Sequence, residues 1–339
     1  MAQIRLALIT GVTGFIAKHI ALRFLQDGWA VRGTLRNLDR AEEVRKALAP
    51  HLTEAALARL SFAVADLNED AGWADAAEGA ELLVHTASPF PLAQPKDASV
   101  LVRPAVEGTL RALRAAYAAG IRRAVVTSST VAVINVTRAG VQDESDWCDL
   151  QAPGTSAYAM SKTMAERAAW DFVAKEAPDM ALTCINPGLV LGPPLDRHFG
   201  TSLGVVDRIL SGRDPMLPMI GFVCVDVRDV AEMHLRAALR METAGKRYLA
   251  AAGYMTLPDI ARVLKTAYPY RRIPTRVAPL FVLRVLALFD ASIRSLLPSV
   301  GKTFEVSNAR AKAEMAMRFI EPADALLASA EWLLSKQAV

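Results

Sequence analysis

Tyr158 and Lys162 stand four residues apart, in the pattern Tyr-x-x-x-Lys. On a helix, residues at this spacing share one face, so a phenol and an ammonium group would lie side by side. A free tyrosine titrates near ~10, and an adjacent cation favours the phenolate and lowers that pKa. The pair therefore suits proton transfer near neutral pH. The alternative is an ordinary solvated helix face, because both residue types recur at this spacing on many helices.

The predicted elements at the start of the chain indicate which kind of ligand such a pair could act beside. Residues 4–9 are apolar and suit a buried strand, residues 16–25 have helical periodicity, and residues 29–35 suit a second strand. A Gly-x-x-Gly-x-x-Ala turn, residues 11–17, joins the first strand to the helix. This strand–turn–helix–strand context is the one in which a glycine-rich turn binds a dinucleotide.

Each small residue of the turn has a physical role. Gly11 permits the tight turn, Gly14 lets the backbone approach a pyrophosphate, and Ala17 allows the helix to pack closely on the strand. The helix N-terminus adds free N–H groups and the positive end of a dipole for the phosphates. A glycine-bearing turn without a ligand is the alternative.

The end of the second strand indicates which dinucleotide binds. An acidic residue there would bond the ribose 2′-hydroxyl and favour NAD, whereas an arginine accommodates a 2′-phosphate. Arg36 occupies this place and Arg40 follows one helical turn later, while Asp39 lies beyond the expected position. The sequence therefore predicts NADP(H) as the cofactor, with ordinary surface charge as the alternative for the two arginines.

Strands alternate with helices through the first half of the chain. Further strands are predicted at 61–65, 82–86, 123–129 and 181–185, and further helices at 40–57, 98–119 and 156–175. This alternation predicts an α/β fold with a parallel, doubly wound sheet of the Rossmann type.

The composition of the chain changes past residue 190, where glycine and proline indicate irregular structure. We expect residues 1–190 to form the NADP-binding domain, with residues 222–242 packing back onto it. We expect residues 191–221 and 243–339 to form a smaller α/β domain, partly interleaved with the first, that covers the substrate.

Polar and glycine residues follow the predicted strands. Parallel sheets of this kind bind ligands beyond the carboxyl ends of their strands, so these residues should meet in one crevice. They are Gly11, Arg36, Asp66, Ser88, Ser129 and Asn186. Asp66 has two interpretations, since it could bond an adenine amino group or be a plain turn residue.

Composition argues against several other functions. The net charge is +4 with no block of like charge, so nucleic-acid binding is not expected. The three cysteines are widely spaced and the five histidines are dispersed, which predicts free thiols and no metal site. Together with the lack of a leader segment, this indicates a cytoplasmic protein. Residues 277–289 are the most apolar segment, but they fall short of the ~20 residues that span a bilayer. A buried helix is expected there, and contact with a membrane or a partner stays open.

Four motifs occur together and in order, and together they resemble the extended short-chain dehydrogenase/reductase superfamily. They are Thr10–Ala17, Thr127–Ser129, Tyr158–Lys162 and Asn186–Pro193. Within that superfamily the chain is similar to dihydroflavonol 4-reductase-like enzymes, on the stretches Val31–Arg36, Val84–Pro89 and Asp143–Asp149. The resemblance covers roughly residues 4–250.

The resemblance implies a role for each catalytic candidate. Tyr158 would protonate a carbonyl oxygen as hydride arrives from the nicotinamide. Lys162 would lower the pKa of that phenol and hold the nicotinamide ribose. Ser129 would bond and orient the carbonyl, with Ser128 as the alternative. The implied activity is the reversible, NADP(H)-dependent reduction of a ketone or aldehyde to an alcohol.

The glycine turn, the strand ends and the resemblance together give a predicted cofactor-binding set. Its members are Thr10, Gly11, Thr13, Gly14, Phe15, Ile16, Arg36, Arg40, Asp66, Leu67, Thr86, Ala87, Ser88, Thr127, Tyr158, Lys162, Pro187, Gly188 and Val190.

The predicted substrate contacts are largely apolar and would suit a hydrophobic carbonyl compound or alcohol. They are Phe90, Ser129, Ile134, Tyr158, Leu189, Phe199 and Phe222. For the apolar members, core packing is the alternative. Ile134 stands where plant members of the family have an asparagine, which argues against a plant flavonoid as the substrate.

Two other functions remain open on the same scaffold. A nucleotide-sugar epimerase or dehydratase would keep a tightly bound NAD, which Arg36 argues against. A redox sensor that binds NADP without catalysis would usually lack the Tyr–Lys pair. Dimers are common among similar proteins, so a homodimer is compatible with the resemblance.

Overall fold

The computed structural model of the chain describes residues 4–89, 97–138, 140–290, 293–294 and 297–337. The strands of this part, in chain order, are β1 Leu6–Ile9, β2 Ala30–Leu35, β3 Leu60–Val64, β4 Leu82–His85, β5 Arg123–Thr127, β6 Val141–Gln142, β7 Ala181–Pro187, β8 Leu189–Leu191, β9 Gly221–Asp226, β10 Lys246–Ala250, β11 Gly253–Thr256 and β12 Glu305–Val306.

The α-helices of the same part are α1 Phe15–Gln26, α2 Ala41–Leu48, α3 Glu54–Leu57, α4 Trp73–Ala77, α5 Ser99–Ala118, α6 Ala157–Lys175, α7 Gly200–Ser211, α8 Val227–Leu239, α9 Leu257–Ala267, α10 Leu280–Leu286, α11 Ala309–Glu314 and α12 Pro322–Gln337. Short 3₁₀ turns lie at Leu38–Arg40, Ala49–His51, Thr130–Ala132, Met241–Thr243 and Leu297–Ser299.

A seven-stranded parallel sheet forms the main layer, in the spatial order β10-β7-β5-β4-β1-β2-β3. Successive residues of a strand point to opposite faces. Ala7 and Ile9 of β1 accordingly pack with α1 and α8, whereas Leu8 packs with α4, α5 and α6. Both faces are therefore covered by helices, and the predicted α/β fold with a doubly wound sheet is confirmed.

A smaller mixed sheet lies beyond the main one. Strands β8 and β9 pair in parallel, and β9 and β11 pair antiparallel. Buried apolar residues of α7, α9 and α12 form one cluster with this sheet. Strands β6 and β12 form a separate parallel pair.

Two strands depart from the expected division of the chain. Strand β10, within residues 243–339, pairs with β7 at the edge of the main sheet, with Leu249 opposite Asn186. Strand β9 begins one residue before the stretch 222–242 and belongs to the small sheet. From that stretch it is α8 that packs back against α1. A strand's apolar pattern does not indicate which strand it pairs with, so the sequence placed both elements by position alone.

Two helix predictions also require correction. The helix expected over residues 40–57 is split into α2 and α3, because Pro50 interrupts it and the Thr53 hydroxyl caps α3 by accepting from the Ala56 amide at 3.2 Å. Residues 200–211, expected to be irregular, form α7. Its apolar residues are buried at helical spacing, and Gly212 ends it with a left-handed φ of 65°.

Residues 277–289 are more exposed than expected. Leu283 and Ala287 are buried, but Phe281 and Phe289 are 70% and 86% exposed. The segment is thus not the buried helix that its composition predicted. Among the helices of the described residues, none combines the length and the apolar character that crossing a bilayer requires.

Candidate active site

A cavity of about 1070 Å³ opens at the carboxyl ends of the main-sheet strands. It collects the glycine turn, the end of β2, the segment after β4, the end of β5, the start of α6 and the segment after β7. The predicted residues that line it are Gly11, Thr13, Gly14, Phe15, Ile16, Arg36, Arg40, Asp66, Leu67, Thr86, Ala87, Ser88, Thr127, Ser129, Tyr158, Lys162, Pro187, Gly188, Val190 and Phe199. The strand ends thus bring together residues that are far apart in sequence. Asn186 is the exception among the predicted strand-end residues, because it is fully buried and does not line the cavity.

The glycine turn leaves the floor of the cavity open. Gly11 has a φ of 65°, and a side chain there would place its Cβ 3.0 Å from that of Ala87. Gly14 is the N-cap of α1. The N–H groups of a first helical turn have no intrahelical acceptor, and here no side chain caps the helix in their place. A helix N-terminus of this kind binds phosphate groups. The turn therefore fits the pyrophosphate of a dinucleotide.

Thr10 does not line the cavity, which corrects one predicted contact. It is fully buried, and its hydroxyl accepts from the amides of Thr86 and Ala87, each at 3.0 Å. The same hydroxyl lies 3.0 Å from Nδ1 of His85. Thr10 thus fixes the segment after β4 against the glycine turn, and Thr86 and Ala87 themselves face the cavity.

The two arginines predicted to favour NADP differ in their bonding. Arg40 is already paired, donating to both Glu43 oxygens at 3.0 and 2.8 Å. Arg36 is exposed at the cavity edge, and within the described part of the chain its guanidinium has no hydrogen bond or ion pair. Arg36 is therefore the cation available to an anionic ligand at this end.

Asp66 combines the two interpretations that the sequence left open. Its Oδ1 accepts from the amide of Asn68 at 2.8 Å and from the Asn68 side chain at 3.0 Å, as in a turn. It also lines the cavity. Its second oxygen is outside the bonds of this turn, so it can accept a further donor.

The opposite end of the cavity holds the catalytic candidates. The hydroxyl of Ser129 and the phenol of Tyr158 both line this end, and they are near enough for Ser129 to act on the pKa of the phenol. Burial raises the pKa of Tyr158 to about 12, and the Ser129 hydroxyl opposes this rise. The expectation that Lys162 lowers this pKa is therefore wrong, because desolvation raises the pKa of Tyr158 and it is Ser129, rather than Lys162, that opposes the rise. The phenol is protonated at neutral pH.

Lys162 is buried beside this pair. Its ammonium group donates to the carbonyl oxygen of Thr127 at 3.3 Å. Burial lowers the pKa of Lys162 to about 8, and the carboxylate of Glu166 opposes that change. Lys162 thus keeps its ammonium form at neutral pH and loses it as the pH rises past about 8, which ordinary assays reach.

The two adjacent serines have different surroundings. Ser128 donates to the buried carboxylate of Glu166 at 2.5 Å, away from Tyr158. Ser129 lies within interaction range of the Tyr158 phenol and donates to the Pro187 carbonyl at 3.3 Å. The geometry therefore favours Ser129, rather than Ser128, as the serine that faces a substrate.

The predicted apolar substrate contacts separate into two groups. Phe199 lines the cavity, with its ring against that of Trp332 at 5.9 Å between centroids. Ile134, Leu189 and Phe222 pack into the neighbouring apolar clusters instead, which is the alternative noted for them. Phe90 lies outside the described residues.

Several lining residues had no motif to reveal them. They are Thr34, Asn37, Asn68, Val100, Leu101, Pro104, Gly200, Thr201 and Ser202. Thr34 accepts from the Gly11 amide at 3.0 Å, and its place two residues before Arg36 could have indicated it. The start of α7 gave no signal, because its helix was not predicted.

One cluster of ion pairs joins this region to the loop before α7. Possible ligand atoms of Glu43, Asp196 and His198 lie within 4.8 Å of one another. The ammonium of Lys18 already pairs with Asp196, and Arg40 pairs with Glu43. These cations neutralise the carboxylates, so the cluster ties α1 and α2 to the loop.

The fold and the site define a class of protein. A doubly wound parallel sheet, a glycine turn at an uncapped helix N-terminus and a Ser–Tyr–Lys group at the far end of the same cavity fit a nicotinamide dinucleotide. The arrangement is that of an NAD(P)-dependent oxidoreductase.

Comparison with known sequences gives the family. Residues 7–251 match the model of the NAD dependent epimerase/dehydratase family, and the chain belongs to this family. It is 33% identical to the ketoreductase azaE of Aspergillus niger, over 77% of this chain and 82% of that protein. It is 34% identical to cinnamoyl-CoA reductase 1 of Arabidopsis thaliana, over 79% of this chain and 76% of that protein. An anthocyanidin reductase of Vitis vinifera is 30% identical, over 79% and 82%.

Solved structures show the same architecture. Yeast methylglyoxal/isovaleraldehyde reductase Gre2, complexed with NADPH, superposes with a TM-score of 0.81 at 25% identity, over 98% of this chain and 99% of that one. Vestitone reductase from alfalfa (Medicago sativa) superposes with a TM-score of 0.76 at 23% identity, over 98% and 99%, and this likeness concerns the fold alone. The resemblance to dihydroflavonol 4-reductase-like enzymes is confirmed, and the chain is a reductase of this type that uses NAD(P)H.

Proposed function

We propose that the protein reduces the carbonyl group of a small hydrophobic ketone or aldehyde to an alcohol, reversibly, with NADPH as the reductant. The observation that carries this proposal is that the Ser129 hydroxyl and the Tyr158 phenol lie within interaction range of each other at the cavity wall, with Lys162 lining the same cavity. These two hydroxyls form a site that can bind one carbonyl oxygen.

The chain's own residues would supply the proton and the orientation. Ser129 would donate a hydrogen bond to the carbonyl oxygen and hold it near Tyr158. Tyr158 carries its proton at neutral pH and would transfer it to that oxygen. Lys162 would place a positive charge beside the phenolate that remains. A bound nicotinamide dinucleotide supplies the hydride to the carbonyl carbon.

Support for NADPH rather than NADH comes from the adenosine end of the cavity. Arg36 is an exposed guanidinium without a partner among the described residues, at the place where a 2′-phosphate would lie. Arg40 is already paired with Glu43, so we assign it a smaller role than Arg36 in binding the 2′-phosphate. The structure of Gre2 is a complex with NADPH, which is consistent with this choice.

Support for a hydrophobic carbonyl substrate comes from Phe199 and from the relatives. Phe199 lines the cavity and packs on Trp332. The relatives include proteins named as a ketoreductase and as a methylglyoxal/isovaleraldehyde reductase, both of which act on carbonyl groups. These names support the class of substrate without naming one compound.

The test is the oxidation of NADPH and NADH, followed at 340 nm, against a panel of aryl and alkyl ketones, aldehydes and β-keto esters. We expect turnover with at least one carbonyl compound and a higher kcat/KM with NADPH. NAD retained through purification, with no carbonyl reduction, would indicate an epimerase or dehydratase instead. NADPH binding without turnover across the panel would indicate a sensor.

A further inference from the structure

We propose that Glu166 is a positioning residue for the proposed carbonyl reduction: its buried carboxylate holds Ser129 in place through Ser128 and Asn186, and puts a negative charge one helical turn beyond Lys162. This inference rests on the proposed function, because Ser129 and Lys162 are the groups that Glu166 would serve. Nothing in the Tyr-x-x-x-Lys pattern itself requires a carboxylate at this position.

The carboxylate is enclosed by donors. Glu166 is 1% exposed. Its Oε2 accepts from the Ser128 hydroxyl at 2.5 Å and from Asn186 Nδ2 at 2.8 Å, while its Oε1 accepts from Arg247 Nε at 2.6 Å. The indole of Trp170 donates to the same Oε1 at 3.4 Å. The amide, guanidinium and indole nitrogens can only donate, so both oxygens of Glu166 act as acceptors.

Two chains of contacts run from this carboxylate to Ser129. Ser128 is the preceding residue, and its side chain is held by Glu166. Asn186 donates to Glu166 and, through the same nitrogen, to the backbone carbonyl of Ser129 at 3.2 Å. The Glu166 carboxylate therefore holds Ser128 directly, and it holds the backbone carbonyl of Ser129 through Asn186. The Ser129 side chain is left to face Tyr158.

Arg247 fixes the carboxylate from the opposite side. It lies on β10 and donates to the backbone carbonyls of Glu144 at 3.1 Å and Asp146 at 2.7 Å. Its guanidinium lies 3.7 Å from the centre of the Trp147 ring. These contacts hold Arg247 independently of Glu166, so the position of the carboxylate is set by the edge strand of the main sheet.

The charges around Lys162 make Glu166 the source of its electrostatic support. His85 faces Lys162 from β4, and burial lowers the pKa of His85 to about 3, so it is neutral. The Thr127 carbonyl faces it from β5, and Tyr158 lies one turn earlier on α6. Beyond Glu166 stand Arg247 and the thiol of Cys184, whose pKa burial raises well above its usual value. Glu166 is thus the anion that opposes the desolvation of Lys162.

The test compares Glu166→Gln, Glu166→Asp and Ser128→Ala with the wild type and with Glu176→Gln, an exposed carboxylate that follows α6. For each variant, kcat and KM are measured against pH, NADPH affinity is measured by fluorescence titration, and the pH titration of Lys162 is followed by NMR of ¹⁵N-labelled lysine. The NMR titration reports on the charge whether or not a substrate is turned over.

For Glu166→Gln we expect kcat to fall about tenfold and the Lys162 titration to move to lower pH by about one unit, with KM and NADPH affinity within about twofold. Ser128→Ala should lower kcat without moving the titration, because the carboxylate remains. Glu166→Asp should keep the Lys162 titration at its wild-type position, because it retains a carboxylate. Glu176→Gln should change neither kcat nor the Lys162 titration.

Glu166→Gln with an unmoved titration, or with kcat equal to the wild type, overturns the inference. If that variant does not fold, Ser128→Ala decides the positioning part and Glu166→Asp the charge part. A wild-type kcat in Ser128→Ala, or a Lys162 titration displaced from the wild-type position in Glu166→Asp, then overturns the inference. A wild-type protein that reduces no carbonyl compound overturns the proposed function. In that case a shifted Lys162 titration in Glu166→Gln would still support the role of the charge.

Discussion

The ammonium group of Lys162 donates to the carbonyl oxygen of Thr127 over 3.3 Å, and only 8% of the residue is exposed. Burial lowers the pKa of Lys162 to about 8, below its usual value of 10.5. The unfolded chain therefore binds the Lys162 proton more tightly than the folded chain does, so this residue destabilises the fold at neutral pH.

Replacing Lys162 should separate activity from stability. We expect Lys162→Met to lose most of its turnover, yet to be more stable than the wild type at pH 7 by about 1–3 kcal/mol, because the cost of burying the charge is removed. The difference should shrink as the pH rises from about 8 towards 10.5, where the folded wild type no longer holds the proton. Urea unfolding at pH 7 and pH 10 measures this. A less stable variant at pH 7 would contradict the assignment.

The same titration should set the pH dependence of carbonyl reduction. Tyr158 keeps its proton over the whole assay range, since burial raises its pKa to about 12. Lys162 loses its proton near pH 8. We expect kcat/KM for reduction to be level below that pH and to decline above it. The decline should follow one pKa, that of Lys162 in the protein without bound substrate. Reduction that becomes faster between pH 8 and 10 would be incompatible with this account.

Gly11 should be required for dinucleotide binding and not merely for the fold. Its left-handed φ of 65° disfavours a side chain, and a Cβ there would lie only 3.0 Å from that of Ala87. Gly28 offers a matched control, because it has a φ of 95° but no atom within 4 Å of its Cβ position. We expect Gly11→Ala to weaken NADPH binding by about tenfold or more and Gly28→Ala to leave it unchanged, although both cost about 1 kcal/mol of stability. Equal affinities in fluorescence titrations would refute the difference.

Arg36 should decide between the two nicotinamide dinucleotides. Arg36→Leu removes the exposed guanidinium that is free to bond a 2′-phosphate, so kcat/KM with NADPH should fall about tenfold or more while the value with NADH stays nearly constant. Arg284→Leu, an exposed arginine on α10 that does not line the cavity, is the control. An unchanged preference in Arg36→Leu would show that another group selects the cofactor.

The sequence predicted the main sheet and most of the cavity because these depend on local patterns. Apolar runs such as Leu6–Ile9 predict buried strands, and parallel strands end at one edge, so residues placed after them meet. What depends on tertiary pairing was missed. The partner of β10 and the burial of Ile134 cannot be read from residue type.

The pKa values show the same limit. The spacing of Tyr158 and Lys162 is visible in the sequence, but the desolvation that raises one pKa and lowers the other follows from how the rest of the chain covers them. Glu166 illustrates the point as well. It stands one turn beyond Lys162 in the sequence, yet its importance depends on Asn186 and Arg247, which reach it from other strands.

In the proposed reaction, the phenol of Tyr158 gives its proton to a carbonyl oxygen. The most direct test is the single-turnover rate of NADPH oxidation by Tyr158→Phe, with the carbonyl compound that the wild type reduces fastest. We predict a rate about 10²–10⁴-fold below that of the wild type, with NADPH affinity and thermal stability essentially unchanged. A variant that keeps most of the wild-type rate would contradict the account.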